Sequence, residues 1–129
     1  MIKLVYVIRK RADISDAEFH DYWLHKHGPL VASAAKAIGA CKYVQSHTVL
    51  AEAGASVSAS RKMAPQYEGI TEVWWNSIEE MRSGSSTPEG QAAGRRLLED
   101  ESKFIDFAQS TIFFTEEHLI FDHTGGRQG

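Results

Sequence analysis

The chain reads as an α+β domain of order β-α-β-β-α-β, with one four-stranded antiparallel sheet and its helices on one face. Two observations predict this. Four segments are dense in β-branched and aromatic residues, and the longer segments between them repeat apolar residues at helical steps. At 129 residues the chain has the length of one domain.

Residues 2–9 form the first strand. Ile2, Leu4, Tyr6 and Ile8 share one side and Val5 and Val7 lie on the other, so both faces are apolar and the strand is expected at the centre of its sheet. Residues 10–14 form a turn, with Arg9-Lys10-Arg11 as its solvated basic group. Ser15 then stands as a helix N-cap, with Glu18 placed for a capping box. The helix starts near Asp16 and runs to about His25. Phe19, Tyr22, Trp23 and, less regularly, His27 fall near one face. Gly28-Pro29 interrupts or bends it. Leu30 to Ile38 continues as helix, with Pro29 in its first turn, and Gly39 ends it.

The second strand spans Cys41 to about Leu50, and Tyr43, Gln45 and His47 form a polar, ring-bearing face suited to a damp cavity. Residues 51–67 are small and polar, and read as a flexible loop or a flap over a pocket. A third strand covers Tyr67 to Trp75. Ser77 caps a short helix at Ile78–Arg82, Pro88 opens a helix over 88–99, residues 100–108 pack as a short helix or turn, and the fourth strand is Gln109–Glu116. Glu117 to Phe121 is an apolar tail that must pack on something. The domain therefore spans 1–121, and 122–129 read as a disordered tail.

Helices on one side leave the other face of the sheet bare, yet several strands are apolar on both sides. Two copies pairing sheet to sheet would cover that patch, giving a homodimer whose sheets curve into a barrel. A net charge of −3 argues against a nucleic-acid partner, and no apolar run is long enough to span a membrane. The apolar start, Met1 to Arg9, is too short for a signal peptide. Cys41 is the single cysteine, which excludes an internal disulfide and favours a reducing, cytoplasmic setting.

Among side chains able to do chemistry, His27 stands first. Its ordinary pKa near neutrality suits proton transfer, and Gly28-Pro29 fixes its backbone. His47 is a second acid–base candidate, and Tyr22 a hydroxyl donor to a developing enolate oxygen. Tyr6 and Tyr43 are expected on a small-molecule substrate's pocket wall, with Trp74 and Trp75 pointing opposite ways as an aromatic wall. Met63 and Tyr67 would touch the ligand from the flap. Asp106 and Glu72 read first as surface carboxylates, with orienting a histidine as the alternative, while His20 and His25 face solvent. The sequence has no HExxH and no cysteine cluster, so neither a metal nor another cofactor is expected.

The stretch Tyr22-Trp23-Leu24-His25-Lys26-His27-Gly28-Pro29-Leu30 resembles the signature of the EthD family, within the dimeric α/β-barrel, ferredoxin-like group. Asp100 to Phe107 and Phe113 to His118 also look like that family, and strand order and spacing agree over roughly residues 1–121. The long 51–67 segment departs from shorter members. The resemblance implies a ferredoxin-like dimer and makes His27 the proton-transfer candidate. Relatives in the wider group include polyketide cyclases, muconolactone isomerases, cofactor-free monooxygenases, dehydratases and decarboxylases. It points to a cofactor-free enzyme moving a proton beside the carbonyl of an aromatic or polyketide-like compound, of lyase or isomerase type. Two alternatives stand beside it: a non-catalytic binding or accessory protein of an oxygenase pathway, and a haem- or metal-dependent oxygenase.

Overall fold

A computed structural model describes residues 1–125. Its strands are β1 (Ile2–Ile8), β2 (Lys42–His47), β3 (Gly69–Trp75) and β4 (Thr111–Thr115). They form one antiparallel sheet in the order β2-β3-β1-β4, as the split β-α-β arrangement requires. The helices are α1 (Asp16–Tyr22), α2 (Gly28–Ile38), α3 (Ala51–Ala59), α4 (Ile78–Ser86) and α5 (Pro88–Glu101). None is long and apolar enough to cross a membrane among the described residues.

Local chemistry fixes several helix ends. The Glu18 amide donates to Ser15 Oγ at 3.1 Å and the Ser15 amide to Glu18 Oε1 at 2.8 Å, completing the capping box. Ser77 and Thr87 accept from the amides of Glu80 and Gly90. Gly39 closes α2 in the left-handed region at φ 76°, where a side chain would be strained.

Between α1 and α2 the chain does not break. It widens into a π-helical turn over Trp23–His27, and the Gly28 amide donates back to the Trp23 carbonyl. Pro29 has no N–H and its ring crowds the carbonyl four residues back, so a wider turn carries the helix past it. This turn places Phe19, Trp23 and His27 all inward, with Phe19 and Trp23 fully buried. They pack with Tyr6, Ile8, Phe104 and Ile105 as the core.

The segment expected as a loop over 51–67 instead contains α3, whose residues are all exposed or half-buried. Four of its nine residues are alanine, which favour helix without supplying an apolar stripe, so periodicity could not reveal it. Residues 126–129 of the tail expected to be disordered lie outside the described residues.

Leu4, Tyr6, Ile8, Tyr43, Thr71, Val73 and Trp75 lie on the side of the sheet that faces the helices. On its other side Val5, Val7 and Val44 are half-buried, while Ile70 and Phe113 are exposed. Leu119, Ile120 and Phe121 are also exposed.

Gly69 sets how closely the helical layer seats on the sheet. A Cβ there would lie 2.5 Å from the Ser46 carbonyl oxygen and 2.6 Å from the Trp23 ring. Gly69→Ala should therefore cost about 2 kcal/mol through overpacking, read as a lower denaturant midpoint with an unchanged slope.

Candidate active site

The inner face of the sheet does not close fully on the helices. A cavity of about 130 Å³ remains, with apolar walls from Leu4, Ile8, Val31, Val73 and Trp75 among others. Its polar groups are few: His27, Tyr6, Tyr43, Thr71 and Glu101. That composition suits a small, mostly apolar ligand carrying one or two polar atoms.

His27 enters at the end of the π-turn. Its Nδ1 lies 2.8 Å from Asp100 Oδ2 near the end of α5, and the ring packs edge-on against Phe104. Tyr22 donates to the other carboxylate oxygen, Oδ1, and Lys103 Nζ stands 3.6 Å from that oxygen. Burial lowers the His27 pKa against the opposing pull of Asp100, so the ring is neutral near neutral pH. Burial works to raise the Asp100 pKa, but the hydrogen bonds from Tyr22 and His27 outweigh it and hold the carboxyl ionised. An ionised Asp100 accepts from Nδ1–H, which leaves an unprotonated Nε2 for the cavity. Burial and the Asp100 contact push the Tyr22 hydroxyl up to about 12.

The neighbouring acid behaves differently. Glu101 lines the cavity and accepts from the Tyr6 hydroxyl at 3.2 Å. Burial, reinforced by the charge of Asp100, pushes its pKa up to about 7, and Tyr6 offsets only part of this. Burial also raises Tyr6 well above the ordinary phenol range. The cavity thus holds a basic nitrogen and a carboxyl group that still carries its proton in part at neutral pH.

A second polar run lies along β2. Gln45 Nε2 donates to the Tyr43 hydroxyl oxygen at 2.8 Å and to the Trp23 carbonyl at 2.7 Å. Gln45 Oε1 and His47 Nε2 are 2.8 Å apart, and His47 Nδ1 is 2.7 Å from His20 Nδ1. His47 also stacks on Trp23, with ring centroids 4.2 Å apart.

Of the residues expected at the site, His27, Tyr6, Tyr43 and Trp75 line the cavity. His47 does not; Gln45 and Tyr43 link it to the cavity. Tyr22 spends its hydroxyl on Asp100 rather than on the cavity. Trp74 lies on the opposite sheet face, because strand side chains alternate; there it donates to Glu117 and packs under Lys3 and Lys42. Met63 is exposed beyond α3, and Tyr67 stacks under the Arg9 guanidinium. His20, expected in solvent, is half-buried against His47. The carboxylate that orients His27 is Asp100. Asp106 instead caps the 3-10 turn Phe107–Gln109, and Glu72 pairs with Lys3 across the other face. Asp100, Glu101 and Thr71 were not singled out from the sequence. Positions 93, 97, 100, 101 and 104 recur at three- and four-residue steps, however, and that spacing marks both acids as inward-facing.

A family model described as the EthD domain matches residues 11–108. Among solved structures, an ethyl tert-butyl ether D (EthD) family protein of Bacillus halodurans aligns with a TM-score of 0.61 at 21% identity, over 92% of this chain and 99% of its own. A dimeric ferredoxin-like protein of unknown function from Thermobifida fusca aligns at 0.55 and 11%, covering 90% of each chain. SnoaB, a cofactor-independent oxygenase from Streptomyces nogalater, aligns at 0.52 and 11%, over 94% of this chain and 97% of that one. At these identities the likeness establishes a shared fold. No curated protein matches the sequence.

Glu101 and His27 should mark the stability profile in opposite directions. Glu101 holds its proton in the fold up to about pH 7, whereas its ordinary value is 4.5, so its contribution is complete below 4.5 and is lost as pH rises to 7. His27 contributes fully above its ordinary 6.5 and loses that contribution as pH falls below it. Glu101→Gln should remove the loss between pH 4.5 and 7 and raise stability above pH 7 by up to about 3 kcal/mol, measured by denaturant unfolding across pH.

Proposed function

The chain belongs to the EthD family, and from that premise and the geometry of its cavity we propose that it is a cofactor-independent enzyme. It would move a proton on an aromatic or polyketide-like carbonyl compound, with His27 as the base. The observation that carries this reading is the pairing of His27 Nδ1 with a buried, ionised Asp100, while Nε2 is left to an apolar cavity.

In this reading the ligand's carbonyl lies between the sheet and α2. His27 Nε2 takes a proton from the carbon beside it, and the C–H electrons pass into an enolate. Asp100 stabilises the imidazolium that forms, as the carboxylate of a catalytic triad does. Tyr22 and Lys103 hold Asp100 in place. Return of the proton to another carbon completes an isomerisation. Loss of a β-hydroxyl that takes the Glu101 proton and leaves as water completes a dehydration. The few polar groups in the cavity favour a neutral or singly polar ligand over a highly charged one.

The state in solution is proposed to be a homodimer. The uncovered sheet face with Ile70 and Phe113, together with exposed Leu119 to Phe121, offers the apolar surface such an assembly buries.

Deuterium uptake beside the carbonyl of benzoylacetone, followed by NMR, tests the chemistry. The protein should accelerate uptake over buffer. His27→Ala should remove at least about 10²-fold of that acceleration, and Asp100→Asn a comparable share. Binding of the diketone with the same uptake in wild type and His27→Ala would support a binding or accessory protein instead. For the assembly, sedimentation should give a dimer for wild type and a monomer for Ile70→Lys; a monomeric wild type at micromolar concentration would overturn it.

A further inference from the structure

The run Tyr43–Gln45–His47–His20 has a direction, and one atom dictates it. The Trp23 carbonyl can only accept, so the Gln45 atom 2.7 Å from it is the amide nitrogen. Its second N–H then points at the Tyr43 oxygen, 2.8 Å away. Gln45 Oε1 must accept, so His47 carries its proton on Nε2. His47 is then an acceptor at Nδ1, and His20 supplies the proton from its own Nδ1. Each role follows from the one before it.

At the cavity end the consequence falls on Tyr43. Its oxygen is an acceptor toward Gln45, so its own proton cannot go there. Among the described residues the buried indole N–H of Trp23 has no hydrogen-bond partner, and it lies toward the same hydroxyl, so that side also offers only a donor. The Thr71 hydroxyl, diagonal to Tyr43 on the same face, also lies toward the Tyr43 oxygen and can accept its proton; it too lines the cavity, so an oxygen bound there meets both hydroxyls. We propose that Tyr43 is the hydrogen-bond donor to the ligand's oxygen, and that Gln45, His47 and His20 are positioning residues that aim its proton into the cavity. The proposal deepens the proton-transfer reading by naming the group that meets the enolate oxygen, and so rests on it for its chemistry. The ligand class it selects is a planar compound presenting one carbonyl, enolate or phenolate oxygen. Burial raises the Tyr43 pKa against the neighbouring donors, so the group acts as a neutral phenol.

Two measurements test it, one of them without any ligand. Long-range proton–nitrogen correlation spectra of the imidazoles, in mildly alkaline buffer, should show His47 protonated on Nε2 and His20 on Nδ1. His47 protonated on Nδ1 would overturn the proposal. This readout needs neither turnover nor His27, so it stands or falls apart from the assignment of the base. The second uses para-nitrophenol, whose absorbance reports ionisation, beside nitrobenzene as a neutral match. Wild type should favour the phenolate. Tyr43→Phe should lose about tenfold or more of phenolate affinity, the range of a hydrogen bond to a charged acceptor, with nitrobenzene binding unchanged. Gln45→Glu, which turns the donor facing Tyr43 into an acceptor, should lose as much although the hydroxyl remains. Equal phenolate affinity in wild type and Tyr43→Phe, or no preference for phenolate in wild type, would sink the idea even if Gln45→Glu fails to fold.

Discussion

A proline in the middle of a helix sets the geometry of this site. Pro29 cannot donate its share of the helical ladder, and the chain answers by widening one turn rather than stopping. The wider turn shifts register, so Trp23 and His27 face inward together. Trp23 reaches Gly69 on the sheet, and His27 reaches the cavity and Asp100. The Trp23 carbonyl is left accepting from both the Gly28 amide and Gln45. One backbone constraint thereby fixes the basic nitrogen and the direction of the β2 hydrogen-bond chain.

The polar groups under the sheet are arranged so that few donors or acceptors lack a partner. Asp100 is charged because two donors meet it, while Glu101, one residue on, meets only Tyr6 and is driven toward its neutral form. Environment alone thus drives the proton affinities of adjacent carboxyls in one helix apart, a condition that lets one orient a base and the other carry a proton to give. The low dielectric of the cavity strengthens these contacts and raises the cost of losing any one partner.

The sheet divides the molecule's surfaces by task. Its inner side carries Tyr6, Tyr43, Thr71 and Trp75 toward the cavity, while its outer side combines apolar residues with the Lys3–Glu72 pair and Trp74. Strand alternation makes this division unavoidable: neighbouring tryptophans on β3 must serve different faces.

Strand order, capping box, proline and glycine signals and the inward face of the first helix were all legible in the sequence, because each depends on residues close together in the chain. His27, Tyr6, Tyr43 and Trp75 could be chosen on the same basis. The partners could not. Asp100 lies 73 residues from His27 and Glu101 lies 95 from Tyr6, and nothing local says which carboxylate meets which ring. The helix at 51–59 has no apolar stripe to betray it. The turn type at Pro29 is a choice between breaking and widening, and the core settles it by rewarding the burial of Trp23 and His27. The sequence determined which groups were available and on which face of each element they stood; only tertiary packing decided their pairings, charges and hydrogen-bond directions, since those depend on burial and on contacts between distant segments.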